Sequence, residues 1–215
     1  MKRFLRSLGR HARCLLVSCA VGGPGSTLYW AAFGLLRSNR FAILARPLHT
    51  VRPPSADDDT VFELWTAQQL REWRLGRRDL PTQFFQDRID GVGLCAVAHR
   101  GGVVMGLIWI YLPGDYSRMF RLRSGEAELN QGVVTPEHRR RGLFTRILEF
   151  ACAELAGRGY RTAYAVVHSA NGPSLAAFTA AGFVRWTEVR HIFIFRPTVT
   201  LPPALSDPPT PAPHA

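Results

Sequence analysis

The sequence predicts an α/β domain of the α+β kind, strands and helices interleaved, between two tails of different composition. Three observations carry this. Short apolar runs end at glycine-bearing turn signals, the apolar spacing switches from strand-like to helical at Gly142, and the composition turns basic toward the N-terminus and proline-rich toward the C-terminus. With 215 residues, 47% of them hydrophobic, the chain is long enough to bury one core of ordinary size.

The ends set the domain limits. Residues 1–56 contain no Asp or Glu, whereas Lys2, Arg3, Arg6, Arg10, Arg13, Arg37, Arg40, Arg46 and Arg52 are basic, so most of the net charge of +11 is N-terminal. The uncharged stretch from Cys14 to Leu36 has the length of a membrane span, but Gly22-Gly23-Pro24-Gly25-Ser26-Thr27 divides it into two short apolar pieces. Residues 1–40 therefore read as a basic, apolar extension, with two readings open: an anchor on the inner membrane leaflet, or a segment packed on the domain. A signal peptide, a lipobox-like Leu16-Val17-Ser18-Cys19 and an Arg-rich transit peptide compete with both. Residues 41–198 make the domain, and residues 199–215, with six prolines from Pro202 onward, make a tail unsuited to a packed core. Cys14, Cys19, Cys95 and Cys152 are too scattered for a zinc site, a redox motif or a disulfide framework. A reducing cytosol is expected, and no metal.

The elements follow in order. Phe41-Ala42-Ile43-Leu44 reads as a first strand, and Asp57 to Asp59 as the cap of a helix running through Val61, Leu64, Trp65 and Leu70. Gly93 to His99 and Val103 to Tyr111 are strands joined at Arg100-Gly101-Gly102 as a hairpin. After Ser124-Gly125 a further strand runs from Glu126 to Val134. Leu143, Ile147, Leu148, Ala151 and Leu155 then lie on one helical face, and Gly157 and Gly159 end the helix. Tyr160 to His168 is a strand, Pro173 to Ala181 a short helix, and Phe183 to Arg196 a final strand.

The chemistry lies where strand gives way to helix. Pro136-Glu137-His138-Arg139-Arg140-Arg141-Gly142-Leu143-Phe144-Thr145 sets unpaired backbone N–H groups at a helix N-terminus beside three arginines, an arrangement that binds phosphate oxygens. Gly142 lets a diphosphate approach the backbone, and Thr145 adds a hydroxyl. Val134-x-Pro136-Glu137-x-Arg139-x-x-Gly142-x-Phe144-Thr145 resembles the coenzyme A motif of the GNAT superfamily of acyl-CoA-dependent N-acetyltransferases. The family pattern ends in a small residue where this chain has Phe144. Asn171-Gly172-Pro173-Ser174-Leu175-Ala176-Ala177-Phe178-Thr179-Ala180-Ala181-Gly182-Phe183 resembles the second family signature, and the two occur in the expected order.

The resemblance covers about residues 41–197 and implies a mixed, mostly antiparallel sheet flanked by helices and splayed open at the coenzyme A site. It implies that the backbone of Gly132, Val133 and Val134 pairs with the pantetheine arm and offers an N–H to the thioester oxygen. Arg139, Arg140, Arg141, Gly142, Leu143, Phe144 and Thr145 would hold the diphosphate, and Asn171 would reach the arm from the other side or cap the following helix. It also implies acetyl-CoA or another acyl-CoA as co-substrate and direct attack by an amine. Many members use a tyrosine as general acid where this chain has Phe178, which has no proton to give.

Three other groups are candidates for proton transfer. Glu126 and Glu128 share one face of their strand by period two, as a base or as charges on a solvated face. His168, at a strand end before Asn171, is a base or a structural histidine. Cys95 and Cys152 sit among apolar neighbours and read as packing. The charge raises nucleic acid as a partner, but arginine is concentrated in the extension and the cofactor loop with no recognition motif, so none is expected. The acceptor, an amine on a small molecule, sugar or peptide, would meet variable loops at 65–85 and 113–123, where Trp73, Phe84 and Phe85 form either an acceptor wall or core. The expected location is the cytosol, with membrane contact, if any, through residues 1–40. A coenzyme A-binding module without turnover is the alternative.

Overall fold

A computed structural model describes residues 9–10, 12–17, 19–20, 38–49, 51, 59–77, 79–117, 119 and 121–192, with the backbone alone at 38, 39, 191 and 192. The sheet has seven strands: β1 (Ser38–Pro47), β2 (Val61–Thr66), β3 (Leu94–Arg100), β4 (Val103–Tyr111), β5 (Glu126–Val134), β6 (Thr162–His168) and β7 (Val184–Ile192). Their order across the sheet is β2-β3-β4-β5-β6-β1-β7. Every pairing is antiparallel except β5 with β6, which is parallel. The helices are α1 (Ala67–Trp73), α2 (Gln86–Ile89), α3 (Leu143–Gly157) and α4 (Gly172–Ala180), with 3-10 turns at Thr82–Phe85 and Pro136–His138.

The expected face of α3 is the buried one. Leu143, Ile147, Leu148, Ala151 and Leu155 pack with Ala127 and Leu129 of β5 and Ala163, Ala165 and Val167 of β6. The opposite face of the sheet is covered by α1 and the Thr82–Phe85 turn, where Leu70, Phe84 and Phe85 meet Val97, Leu107 and Trp109. Phe84 and Phe85 are core, and Trp73 stacks on Phe84 at 5.6 Å while its indole N–H donates to Gly102 O.

The helix expected through Val61, Leu64 and Trp65 is not formed there. Val61–Thr66 is an edge strand paired with β3 from Val61 opposite His99 to Thr66 opposite Leu94. The helix starts only at Ala67, where the Thr66 hydroxyl accepts from the Gln69 N–H and the Gln69 side chain accepts from the Thr66 N–H. Partner strand pairing and this capping box outcompete a cap at the aspartates, of which Asp57 and Asp58 lie outside the described residues. The final strand covers Val184–Ile192; its expected continuation to Arg196, the 199–215 tail and most of the stretch from Cys14 to Leu36 also lie outside them.

Helical residues 12–17 precede the sheet. Arg10 is buried and ion-paired with the fully buried Asp90 carboxylate, which also accepts from Tyr111 Oη at 2.7 Å, and Arg13 Nε donates to Ile89 O at 2.9 Å. Arg10 is thus bound within the domain rather than presented to an anionic surface, while Arg13 stays exposed. No helix among the described residues is long and apolar enough to cross a membrane.

Candidate active site

The site forms where β5 and β6 part. Their parallel pairing runs from Glu126 opposite Thr162 to Leu129 opposite Ala165 and stops there, while both strands continue. On the other edge of β5, Trp109 faces Asn130 but Leu107 faces Val133, so β5 carries an extra residue in a bulge. Gln131 sits in the bulge at φ 56°. Its N–H donates to Asn130 Oδ1 at 2.7 Å, and Asn130 Nδ2 donates to Glu128 Oε1 at 2.7 Å, so one amide holds the bulge and ties it to the carboxylate.

Beyond the bulge the chain turns into α3 through two left-handed residues. Arg140 has φ 60° and Gly142 φ 71°, and Gly142 is the left-handed residue before α3. A side chain at Gly142 would meet open space, so glycine is favoured there by its backbone angle as well as by access. The first-turn N–H groups of α3, at Leu143, Phe144 and Thr145, have no partner in the helical ladder. Arg139 Nε donates to Val134 O at 2.9 Å, which folds this arginine back along the strand end.

Two adjoining cavities occupy the opening. The outer one, about 570 Å³, is lined by Gly132, Val133, Val134, Arg139, Arg140, Gly142, Leu143, Phe144, Thr145 and Asn171 among the expected residues, together with His138. Arg141 is exposed and does not line it: the turn that brings Arg140 to the wall aims its neighbour outward. The inner chamber, about 230 Å³, is lined by Phe41, Met119, Leu129, Val166, Phe178 and the polar Asn130 and His168, among others. Gln83, Gly132, Phe144, Asn171 and Ser174 border both.

The candidate proton-transfer groups separate in space. Glu126 is buried and accepts from the Arg123 backbone N–H and guanidinium, with Tyr164 Oη 3.4 Å away. It lines neither cavity and serves as a structural clamp, a correction to its reading as a base or a solvated charge. Burial beside that carboxylate pushes the Tyr164 phenol up to about 12. Glu128 is also buried, not solvated, and reaches the inner chamber's wall through Asn130. His168 lines the chamber, its ring edge-on to Phe41 at 5.3 Å, and its Nδ1 accepts from the Ala170 N–H at 3.1 Å. That bond assigns the neutral ring's proton to Nε2. Asn171 caps α4 by accepting from the Ser174 N–H at 3.3 Å and also lines both cavities, so its two readings coexist. Phe178 is buried edge-to-face between Phe144 at 5.9 Å and Phe183 at 5.0 Å. Burial raises the Cys152 thiol to about 12 and the Cys95 thiol further, so neither is a nucleophile.

Sequence reasoning missed Asn130, Gln83, Met119 and Phe41. Asn130 had a signal, as an amide two residues before Gly132 in a strand. Gln83 had none, because it is placed by Trp109, whose indole N–H donates to Gln83 O at 2.7 Å from a distant strand. Among the described residues no cluster of three His, Cys, Asp or Glu side chains could hold a metal ion.

Residues 59–183 match the model of the acetyltransferase (GNAT) family. β1 and β7 lie outside that segment, yet β1 fills the slot between β6 and β7 and supplies Phe41 to the inner chamber. No curated protein matches the sequence significantly. Among solved structures, the fold is similar to that of a GCN5-related N-acetyltransferase from Sphaerobacter thermophilus, with TM-score 0.50 and 15% identity over 84% of this chain and 60% of that one. It is similar to a GCN5-related glucosamine N-acetyltransferase region in a fungal multi-domain GH3 β-N-acetylglucosaminidase, with TM-score 0.53 and 17% identity over 78% and 22%. It is also similar to a Drosophila protein, with TM-score 0.52 and 14% identity over 75% and 53%. At these identities the likeness is one of fold, and this chain spans less than two thirds of each of those chains.

Proposed function

The chain belongs to the GNAT family of acetyltransferases, and on that premise we propose that it transfers an acetyl or other acyl group from acyl-CoA to the amine of a small molecule, sugar or peptide, by direct attack in a ternary complex. The observation that carries this reading is the continuity of the outer cavity, with its arginine turn and helix N-terminus, into an inner chamber at the open end of β5. The donor set fits the co-substrate: cationic and N–H groups for a diphosphate at one end, an unpaired strand edge for an extended arm in the middle, and a chamber of mixed polar and apolar lining beyond.

Acyl-CoA, when bound, supplies the activated thioester. Arg139, Arg140, Gly142 and the first turn of α3 hold its diphosphate, and the backbone of Gly132 to Val134 aligns the arm and offers an N–H where carbonyl charge develops. The inner chamber takes the acceptor's amine, with Asn130 and His168 as polar groups on a wall otherwise shared with Leu129, Val166 and Phe178. Glu128, fixed by Asn130, receives the amine's proton through an intervening water. His168, with Nδ1 engaged, offers Nε2–H as a hydrogen-bond donor rather than a basic lone pair. No proton is available at Phe178, so the leaving thiol takes its proton from solvent.

The packing of Phe178 between two other phenylalanines favours a second reading, a coenzyme A-binding module without turnover. Calorimetric titration of acetyl-CoA into the full chain tests the first step. Gly142→Ala reports the strain at φ 71°, and Gly142→Glu adds a carboxylate to the phosphate position, which should cost roughly a hundredfold more in affinity. No binding by the wild type rejects both readings. Binding without thiol release from any amine in a broad screen selects the second.

A further inference from the structure

Phe144 stands where the family motif has a small residue, and it borders both cavities. Its ring lies against Gly132: a Cβ on that glycine would fall 2.4 and 2.5 Å from the ring's Cε2 and Cζ, closer than real atoms approach. The ring cannot retreat on its other side, because it meets Phe178 edge-to-face, and Phe178 is in turn held by Phe183. Phe144 is thus wedged at the neck between the outer and inner chambers, opposite the strand that carries the bulge. Of the five residues that border both cavities, it is the largest.

The inner chamber is the smaller of the two, about 230 Å³ against about 570 Å³; Leu129, Val166, Val167 and Phe178 give it an apolar wall, while Gln83, Asn171 and Ser174 on its border with the outer cavity are polar. On the acyl-CoA reading above, on which this inference rests, that chamber has to hold the acyl group together with the amine that attacks it. The acyl chain has to pass the border between the two cavities to reach that chamber, and Phe144 is the bulkiest side chain on that border. We propose that Phe144, matched to Gly132, is the acyl-size determinant of this chain, confining it to short acyl groups, and that a smaller residue there widens the passage between the two chambers and admits longer ones.

The pairing makes the proposal testable without turnover. Full-length wild type, Phe144→Leu and Phe144→Ala are titrated calorimetrically with free coenzyme A, acetyl-CoA and hexanoyl-CoA. The wild type should bind acetyl-CoA more tightly than hexanoyl-CoA. Phe144→Ala should move the hexanoyl-to-acetyl affinity ratio by about tenfold or more toward the longer chain, with Phe144→Leu between; free coenzyme A serves as the reference that separates an effect on the rest of the cofactor from one on the acyl chain. Gly132→Ala should lower the melting temperature, and Gly132→Ala/Phe144→Ala should recover part of that loss relative to Gly132→Ala alone, because removing the ring frees the space the methyl needs. An unchanged ratio in both Phe144 variants that still bind free coenzyme A, a wild type indifferent to chain length, or no recovery in the double variant overturns the proposal. A wild type that binds no coenzyme A species overturns the acyl-CoA reading beneath it, an outcome that free coenzyme A distinguishes.

Discussion

The two halves of β5 contrast sharply although they are one strand. From Glu126 to Leu129 it is paired with β6, at Glu128 and Leu129 with β4 as well, and its Glu126 carboxylate is neutralised by Arg123. From Asn130 to Val134 it is bulged on one edge, unpaired with β6 on the other, and lines the cavities. The closed half is scaffold and the open half is site. The difference shows that a carboxylate on a central strand is no guide to catalysis by itself: Glu126 and Glu128 share a face, but only Glu128 is linked, through Asn130, to the opening.

The sharpest way to break this contrast is at the join. Leu129→Ala removes a fully buried side chain shared by the core and the inner chamber, and should cost about 3 kcal/mol in chemical denaturation. A loss well under ~1 kcal/mol would mean that the two halves are not anchored at that point. Next in size, Arg123→Met leaves the buried Glu126 without its cation and should cost about 2 kcal/mol while leaving the acetyl-CoA dissociation constant unchanged. Weakened cofactor binding at constant fold would show that the closed half belongs to the site after all.

Asn130→Ala, in the open half, should do the reverse. It removes the amide that pins the bulge and should lower kcat/KM about tenfold, with a stability cost of about 1 kcal/mol. If stability collapses and kcat/KM of the remaining folded protein is normal, the bulge is scaffold only. The smallest effect expected is at high pH. Tyr164, beside the closed half, and Cys152, on α3, both have folded pKa values raised by burial to about 12, above their ordinary values of 10.0 and 9.0. Their contribution is complete below the ordinary values and is lost as pH rises toward 12. Melting temperature should therefore fall from about pH 9 upward, by the equivalent of about 1 kcal/mol in the first unit, and Cys152→Ala should flatten the early part of that fall. An identical slope in the variant would exclude the thiol as the cause.

Much of the fold was legible because local pattern and final environment agree. The hairpin at Arg100-Gly101-Gly102, the run from Glu126 to Val134 and the apolar stripe of α3 each bury the residues their periodicity marks. Val61 to Thr66 was misread because the residues suit either state, and only pairing with β3 decides. Gly142, Arg139, Arg140 and Asn171, singled out by their place in the sequence, line the outer cavity together. Arg141 was not separable from its neighbours, because its outward direction follows from the left-handed turn at Arg140 and Gly142.

By itself, then, the sequence determined the succession of strands and helices from Leu94 to Ile192, the glycine-bearing turn before α3 and the lack of an ionisable group at Phe178, because each depends on a residue and its near neighbours. The tertiary structure alone decided what depends on partners far along the chain. It inserted β1 between β6 and β7 so that Phe41 reaches the inner chamber, docked Arg10 on Asp90, set Phe144 against Gly132, and assigned Glu126 to Arg123 while leaving Glu128 linked to Asn130. Those outcomes are contacts across the sheet and its covering layers, and no local spacing encodes which of several similar side chains will find the distant partner that fixes its role.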